Sequence, residues 1–394
     1  MKKLLLATAV TALAAGGAMA EDVKIGILIG FTGPIESLTP DMAAAAELAM
    51  KEVNDAGGVV DGSMLVPVRA DSTCGDATAG SAAAERLVTA DGVKGIVGGD
   101  CSGVTGAVLQ NIARPNGIVM ISPSATSPAL TTAEDDGLFF RTAPSDAREG
   151  EVMADILTEK GVKSIALTYT NNDYGKGLAE AIATSFTAKG GTVTINAAHE
   201  DGKADYSAEV AALASAGGDL LVVAGYLDQG GKGIIQASLD SGAFSTFGLP
   251  GGMYGDSLPT AIGDGLNGSY GQIAGSDSTG QATLIEMGNA NGFKGDNAYT
   301  PESYDAAALF ALAMQAAGST DPAVYKDKVL EVANAPGEKI FPGELAKGLE
   351  LLKAGTDIDY EGATAVELIG PGESAGRYRQ FEVKGGKNET VGFR

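Results

Sequence analysis

"VKGIVGGDCSGVTGAVLQNIARPNGIVMISPSATSPALT", residues 93–131, is the stretch whose reading decides the fold. An apolar run, "VKGIVGG" (93–99), precedes a helical pattern over 103–117 and a second apolar run, "IVMIS" (118–122). Short apolar runs bracketed by glycine and separated by one helix read as buried parallel strands joined by a right-handed crossover. The second run then stops in "ISPSATSPALT" (121–131), where two prolines and a set of uncharged hydroxyls end a core strand.

The same rhythm extends in both directions. Upstream lie a strand at "VKIGILIG" (23–30), an Ala-rich helix at 41–58 ending in a Gly pair, a strand at 65–71 and a helix at 78–92. Downstream, the chain leaves this unit near Arg141–Asp146, "FFRTAPSDAREG", and the alternation restarts. Strands at 164–170, 192–196 and 219–226 interleave with helical patterns, so a second unit of similar size follows the first. The last third holds a strong helix, "PESYDAAALFALAMQAAG" (301–318), Gly- and Pro-rich loops and a final strand, "RYRQFEV" (377–383). That segment is too short for a third domain and is expected to complete the other two. The expected class is α/β, with two doubly wound parallel sheets.

Composition narrows the function. Residues 1–20, "MKKLLLATAVTALAAGGAMA", have two lysines, an apolar stretch and a small-residue site, the pattern of a secretory signal cut after Ala20. The net charge of −23 becomes −25 once Lys2 and Lys3 leave with it. So acidic a surface disfavours nucleic acid and anionic lipid. The two cysteines, Cys74 and Cys101, read as one disulfide in an exported protein, unpaired buried thiols being the alternative. No GxxxxGKS/T or strand-linked GxGxxG occurs, so neither nucleotide nor any other cofactor is expected, and no HExxH or Cys/His cluster suggests a metal. A Ser-His-Asp hydrolase would have to use the single histidine, His199, in the polar stretch "AAHEDGKADYS", where a solvated histidine is the better reading. The chain is therefore not expected to be an enzyme.

In open parallel sheets, ligands sit beyond the carboxyl ends of the strands. Those ends are rich in Gly, Ser, Thr and Tyr and almost free of basic groups. Ser102 begins a helix, where free backbone N–H groups attract an anion; an ordinary helix cap is the plain alternative. Ser124 and Thr126, with Ala125 between them, end the neighbouring strand; their alternative is a Pro-bracketed turn. Tyr174 and Tyr226 end two strands of the second unit, each offering a flat apolar face and a hydroxyl.

With these residues in place, the chain resembles the type I periplasmic binding proteins of branched-chain amino-acid ABC importers. The segments that carry the resemblance are "KIGILIGFTGP", "NDAGGVVDG", "CSGVTGAVLQNIARPNGIVMISPSATSPALT", "NDYGKGLAE", "ADYSAEVAAL" and "ESYDAAALFALA", in that order. The resemblance implies two lobes joined by a three-strand hinge: residues 21–143 and 274–370 in the first lobe, 144–273 and 371–394 in the second. It implies a disulfide between Cys74 and Cys101. It implies that Ser102, Ser124 and Thr126 hold a ligand carboxylate and that Tyr174 and Tyr226 close over it. Leu38 would help line the side-chain pocket, with Tyr304 nearby. The family's acid for the ligand ammonium aligns with Gly251, which cannot serve; the alternatives are that Asp256 or Asp228 substitutes, or that the ligand has no α-ammonium. The role implied is that of a monomeric periplasmic solute-binding protein that delivers an amino acid or similar small polar metabolite to a membrane permease. A ligand sensor for a membrane receptor is the alternative.

Overall fold

The computed structural model describes residues 21–394; the signal peptide expected at 1–20 lies outside the described residues. In chain order the first five strands are β1 (Val23–Ile29), β2 (Leu65–Asp71), β3 (Gly95–Gly98), β4 (Met120–Ser122) and β5 (Phe139–Pro144). The next five are β6 (Ser164–Thr170), β7 (Thr192–His199), β8 (Leu220–Ala224), β9 (Phe247–Leu249) and β10 (Tyr270–Ala274). A small parallel pair comes next, β11 (Glu338–Ile340) and β12 (Ile358–Tyr360). The closing strands are β13 (Leu368–Ile369), β14 (Glu373–Ser374), β15 (Tyr378–Lys384) and β16 (Lys387–Phe393).

Two seven-stranded sheets result, ordered β13-β14-β5-β4-β3-β1-β2 and β16-β15-β10-β9-β8-β6-β7. Each lobe therefore repeats one core order: the first strand lies between the second and the third, and the fourth and fifth continue outward. The core pairs are parallel, and the central strands β1, β3, β4 and β8 are nearly uniform apolar runs because helices cover both faces, while the edge strands β2 and β7 alternate. The chain passes between lobes after Pro144, after Ala274 and between Ser374 and Tyr378.

Two strand readings are corrected. "FFRTAP", read only as the place where the chain leaves the first unit, is also that unit's fully buried fifth strand, β5, and the chain leaves it after Pro144. The last passage falls after Ser374 rather than at 371, because the β13–β14 hairpin still extends the first sheet beside β5. Beyond the final strand foreseen from the sequence, a further antiparallel one, β16, folds back across Gly385–Gly386. Both of these glycines have positive φ, 56° and 70°, as a tight two-residue hairpin turn requires.

The 300–317 helix is buried on every side from Thr300 to Met314 and packs on the Thr39–Asp55 helix. Alanines on both, such as Ala45, Ala46, Ala307 and Ala308, let the two backbones approach closely. Asp305 pins the returning chain to this helix. Its carboxylate accepts from Tyr360 Oη (2.8 Å), Ala363 N (2.8 Å), Thr364 N (2.9 Å) and Thr364 Oγ1 (2.7 Å), although burial pushes its pKa to about 6.

His199 is not solvated. It ends β7, is 1% exposed, and sets Nδ1 2.9 Å from Thr168 Oγ1 with its ring edge-on to Tyr206. The strand continues past 196 and carries it into the core, where burial lowers its pKa to about 4. The unfolded imidazole titrates near 6.5, so stability is intact above that pH and falls as pH drops toward 4, by up to ~3 kcal/mol. Urea midpoints at pH 7 and pH 4.5 are expected to differ less for His199→Gln than for the parent; equal differences contradict the buried neutral imidazole.

Cys74 and Cys101 are joined across 27 positions, tying the loop after β2 to the loop after β3. Closing a loop of that size contributes about 3 kcal/mol. A Cys74→Ser/Cys101→Ser variant is expected to lose stability of that order in urea, whereas a loss below ~0.5 kcal/mol contradicts a structural role.

Candidate functional site

In each sheet the strand order reverses beside the first strand, between β1 and β3 and between β6 and β8. Crevices beyond the carboxyl ends at such points are where open α/β sheets bind ligands. The lobes face each other there and leave a narrow cavity of about 20 Å³ between Ser102 and Ser124 on one side and Tyr174 and Tyr226 on the other.

On the first lobe, hydroxyls stitch two loops into one surface. Ser122 Oγ donates to the Gly99 carbonyl and accepts from Ala125 N (2.9 Å). Ser124 Oγ donates to the Asp100 carbonyl (3.0 Å), and Ser102 Oγ accepts from Ser127 N (3.1 Å). The Ser124 proton is thus already committed, while Ser102 keeps its own to give. Cys101 is the N-cap residue of the Ser102–Val108 helix and supplies no side-chain bond to it, so the first-turn N–H groups are left for the cavity. Thr126 is 2% exposed, and its Oγ1 has no partner.

Two buried charges hold this surface in place. Asp100 accepts from Gly30 N (2.7 Å) and Ser72 Oγ (2.6 Å), binding the ends of β1, β2 and β3 together, and burial pushes its carboxyl up. Arg141, 1% exposed on β5, donates Nη1 to the carbonyls of Ala125 (3.1 Å) and Ser127 (2.9 Å). Its Nη2 serves Thr131 Oγ1 and Glu373. The proline-bracketed loop is rigid because this guanidinium holds its carbonyls.

On the second lobe, Tyr174 and Tyr226 stack with centroids 5.1 Å apart and planes at 19°. Tyr174 sits in the first turn of the helix that Asn172 caps, and Asn172 Nδ2 also reaches the Tyr226 hydroxyl at 3.5 Å. The Tyr174 hydroxyl accepts from Gly252 N (3.0 Å) and so points its proton elsewhere. A Cβ at Gly252 would lie 2.5 Å from the Gly225 carbonyl, so only glycine permits this approach. Burial raises both phenols well above their usual range, which keeps them protonated donors.

Leu38 joins the lining with Ile35, while Ala125 and Thr126 lie on the same loop as Ser124. Three other expectations are corrected. Asp256 lies on the surface, 69% exposed and paired with Lys294, because the 256–262 turn faces outward. Asp228 lies between the lobes but outside the cavity, accepting from Ser37 N (3.0 Å) and Ser257 Oγ (2.6 Å), with its own N–H on the Pro34 carbonyl (3.2 Å). It is a latch across the mouth. Tyr304 faces Glu52 on the other side of its helix, and Tyr299, just before that helix, lines the cavity instead. Tyr299 holds φ 58°, an uncommon left-handed conformation for a bulky residue.

Acids stand where the sequence pattern did not point. Asp146 and Glu149, 0% and 2% exposed, begin the helix after β5 and share one face of it. Glu149 Oε1 accepts from Gly251 N (2.7 Å) and Gln272 Nε2 (3.0 Å). Burial lifts Glu149 to about 7 and drives Asp146 well above its usual value, the neighbouring Glu149 adding to the rise. Two acids three apart behind a serine cap and a buried strand were the available signal.

Comparison with known proteins agrees with this architecture. A family model described as periplasmic binding protein matches residues 22–337. Leu/Ile/Val-binding protein homolog 1 of Brucella abortus is 34% identical over 333 residues, covering 83% of this chain and 85% of the relative. The branched-chain amino acid transporter substrate binding protein of Streptococcus pneumoniae, solved with isoleucine, superposes with TM-score 0.77 at 22% identity, covering 94% of this chain and 99% of its own. A solute binding protein of an ABC transporter from Rhodopseudomonas palustris, solved with p-hydroxybenzoic acid, gives TM-score 0.78 at 18% identity, covering 95% and 97%. These relatives are named as binding proteins, and this chain belongs to the periplasmic binding protein family.

Proposed function

We propose that this protein captures an amino acid or closely similar small metabolite between its lobes in the periplasm and presents it to the permease of an ABC importer. One observation carries the reading: an interlobe cavity sets Ser102 and Ser124 of one lobe opposite two stacked tyrosines of the other. Ser102 Oγ, Thr126 Oγ1 and the helix N–H groups offer a carboxylate several hydrogen bonds without a lysine or arginine. Neutral donors bind the anion while leaving it free to depart, since no opposite charge must be separated. Ile35 and Leu38 give the cavity an apolar wall for a side chain.

The lobe-spanning latch at Asp228 would add to closure once the cavity is filled. The names of the Brucella relative and the isoleucine-bound neighbour support an amino-acid ligand. Export through a signal cut after Ala20 and action as a monomer belong to the same proposal, since a carrier must diffuse between capture and delivery.

Isothermal titration against L-amino acids, amides and short carboxylates tests it, with one bound molecule per chain expected for at least one solute. Silence across the panel contradicts the reading. Thr126→Ala is expected to weaken the best ligand by about 1–3 kcal/mol, since a buried anion loses a donor. Unchanged affinity removes that loop from the site.

A further inference from the structure

The Asp173–Ala188 helix carries two glycines in its first two turns, and its own lobe accounts for only one of them. A Cβ at Gly175 would lie 2.2 Å from the Thr170 carbonyl oxygen, so the turn into the helix requires glycine there. Gly177 has ordinary helical backbone, where glycine is less stable than alanine. Outside the helix, the atoms nearest to a Cβ at Gly177 all belong to the first lobe: Pro128 Cδ at 2.9 Å, Ser127 Oγ at 3.2 Å and Pro128 Cγ at 3.9 Å. One turn earlier, a Cβ at Gly103 in the Ser102–Val108 helix would lie 3.7 Å from Asp173 Oδ2. The lobes therefore approach each other here through two positions that carry no side chain.

Both sides of the contact are stiff. On the first lobe the Pro128 ring is rigid, and Arg141 Nη1 holds the carbonyls of Ala125 (3.1 Å) and Ser127 (2.9 Å). On the second, Asn172 Oδ1 caps the helix by accepting from Gly175 N (2.9 Å), and Tyr174 stacks on Tyr226. The contact adjoins the cavity without lining it. Ser102 and Tyr174, next in sequence to Gly103 and Asp173, are wall residues, whereas Gly177 and Pro128 are not. Just beyond Gly177 the lobes part again, leaving an open groove between Ala129 and the side of the helix that carries Lys176 and Glu180.

We propose that Gly177 sets how far the lobes close, and thereby the affinity for the solute, although it lies outside the cavity. This rests on the proposed capture of a small solute between the lobes. Gly177 acts as a positioning residue: a side chain there would meet Pro128 before Ser102 and Ser124 reach their places opposite Tyr174 and Tyr226. With the lobes apart, the same side chain has room. A larger residue at 177 thus penalises the closed form alone, and binding that requires closure weakens by the same factor. Glycine at this position gives up helix stability for a closer approach of the lobes.

The test titrates the mature protein with L-leucine, L-isoleucine, L-valine, L-alanine and benzoate, and repeats the series with Gly177→Ala and Gly177→Val. The solute that binds the parent best is expected to bind Gly177→Val about 10- to 100-fold more weakly, the cost of overpacking a stiff contact, with Gly177→Ala in between. X-ray scattering is expected to give a larger radius of gyration for saturated Gly177→Val than for the saturated parent. Both ligand-free variants are expected to unfold at the parent's temperature or above, because each replaces a glycine inside a helix. Pro128→Ala removes the Cδ that the new methyl would meet, so in that background Gly177→Ala is expected to cost less than about 2-fold. Parent-like affinity and compaction in Gly177→Val overturn the inference and leave solute capture standing. Weaker binding with a lowered unfolding temperature of the ligand-free variants also overturns it, since position 177 would then serve the fold of its own lobe. An equal loss for Gly177→Ala in both backgrounds overturns it as well. A parent that binds none of these solutes overturns both readings.

Discussion

The molecule depends on one geometric constraint: two parallel sheets turn their carboxyl edges toward each other across three crossing segments. A parallel sheet gathers its loops and helix N-termini at that edge, so unsatisfied N–H groups collect there. Each lobe must pair them within its own loops or leave them for a third party between the lobes. The first lobe does mostly the former. Ser122, Ser124, Ser102, Asp100 and Arg141 tie the loops to one another, and the donors left over converge on a small enclosed space.

Much of this was readable in the sequence. The alternation of apolar runs and helices placed β1 to β4 of one sheet and β6 to β8 and β15 of the other, and the hydroxyl-rich ends of β3 and β4 named half of the cavity. What could not be read depended on which way a segment turns after its strand. Asp256 and Asp228 are close in sequence to cavity residues, yet one turns outward to Lys294 and the other latches the mouth. Tyr304 and Tyr299 lie within five residues on the same stretch, and the positive φ of Tyr299 decides which faces the ligand space. His199 looked solvated because its neighbours are polar, but a strand three residues longer than its apolar core drew it inside.

The boundary stretch "FFRTAPSDAREG" misled most. It was read only as the place where the chain leaves the first unit, whereas Arg141, Asp146 and Glu149 are all buried at the junction of the lobes. Arg141 holds the hydroxyl loop from beneath, and Asp146 and Glu149 stand at the start of the first crossing helix. Charged residues in a linker usually mark a wet surface; here they are the groups around which the two lobes meet. An acidic protein thus places buried acids where the lobes meet, and a solute bound between the lobes would stabilise the closed form by mass action.

Solution X-ray scattering on protein refolded free of endogenous solute, with and without a ligand established by titration, tests the central claim most directly. If the cavity between the lobes is the binding site, saturation contracts the particle, and the radius of gyration falls to that of the closed form described here. An identical radius with and without a bound ligand would contradict capture between the lobes.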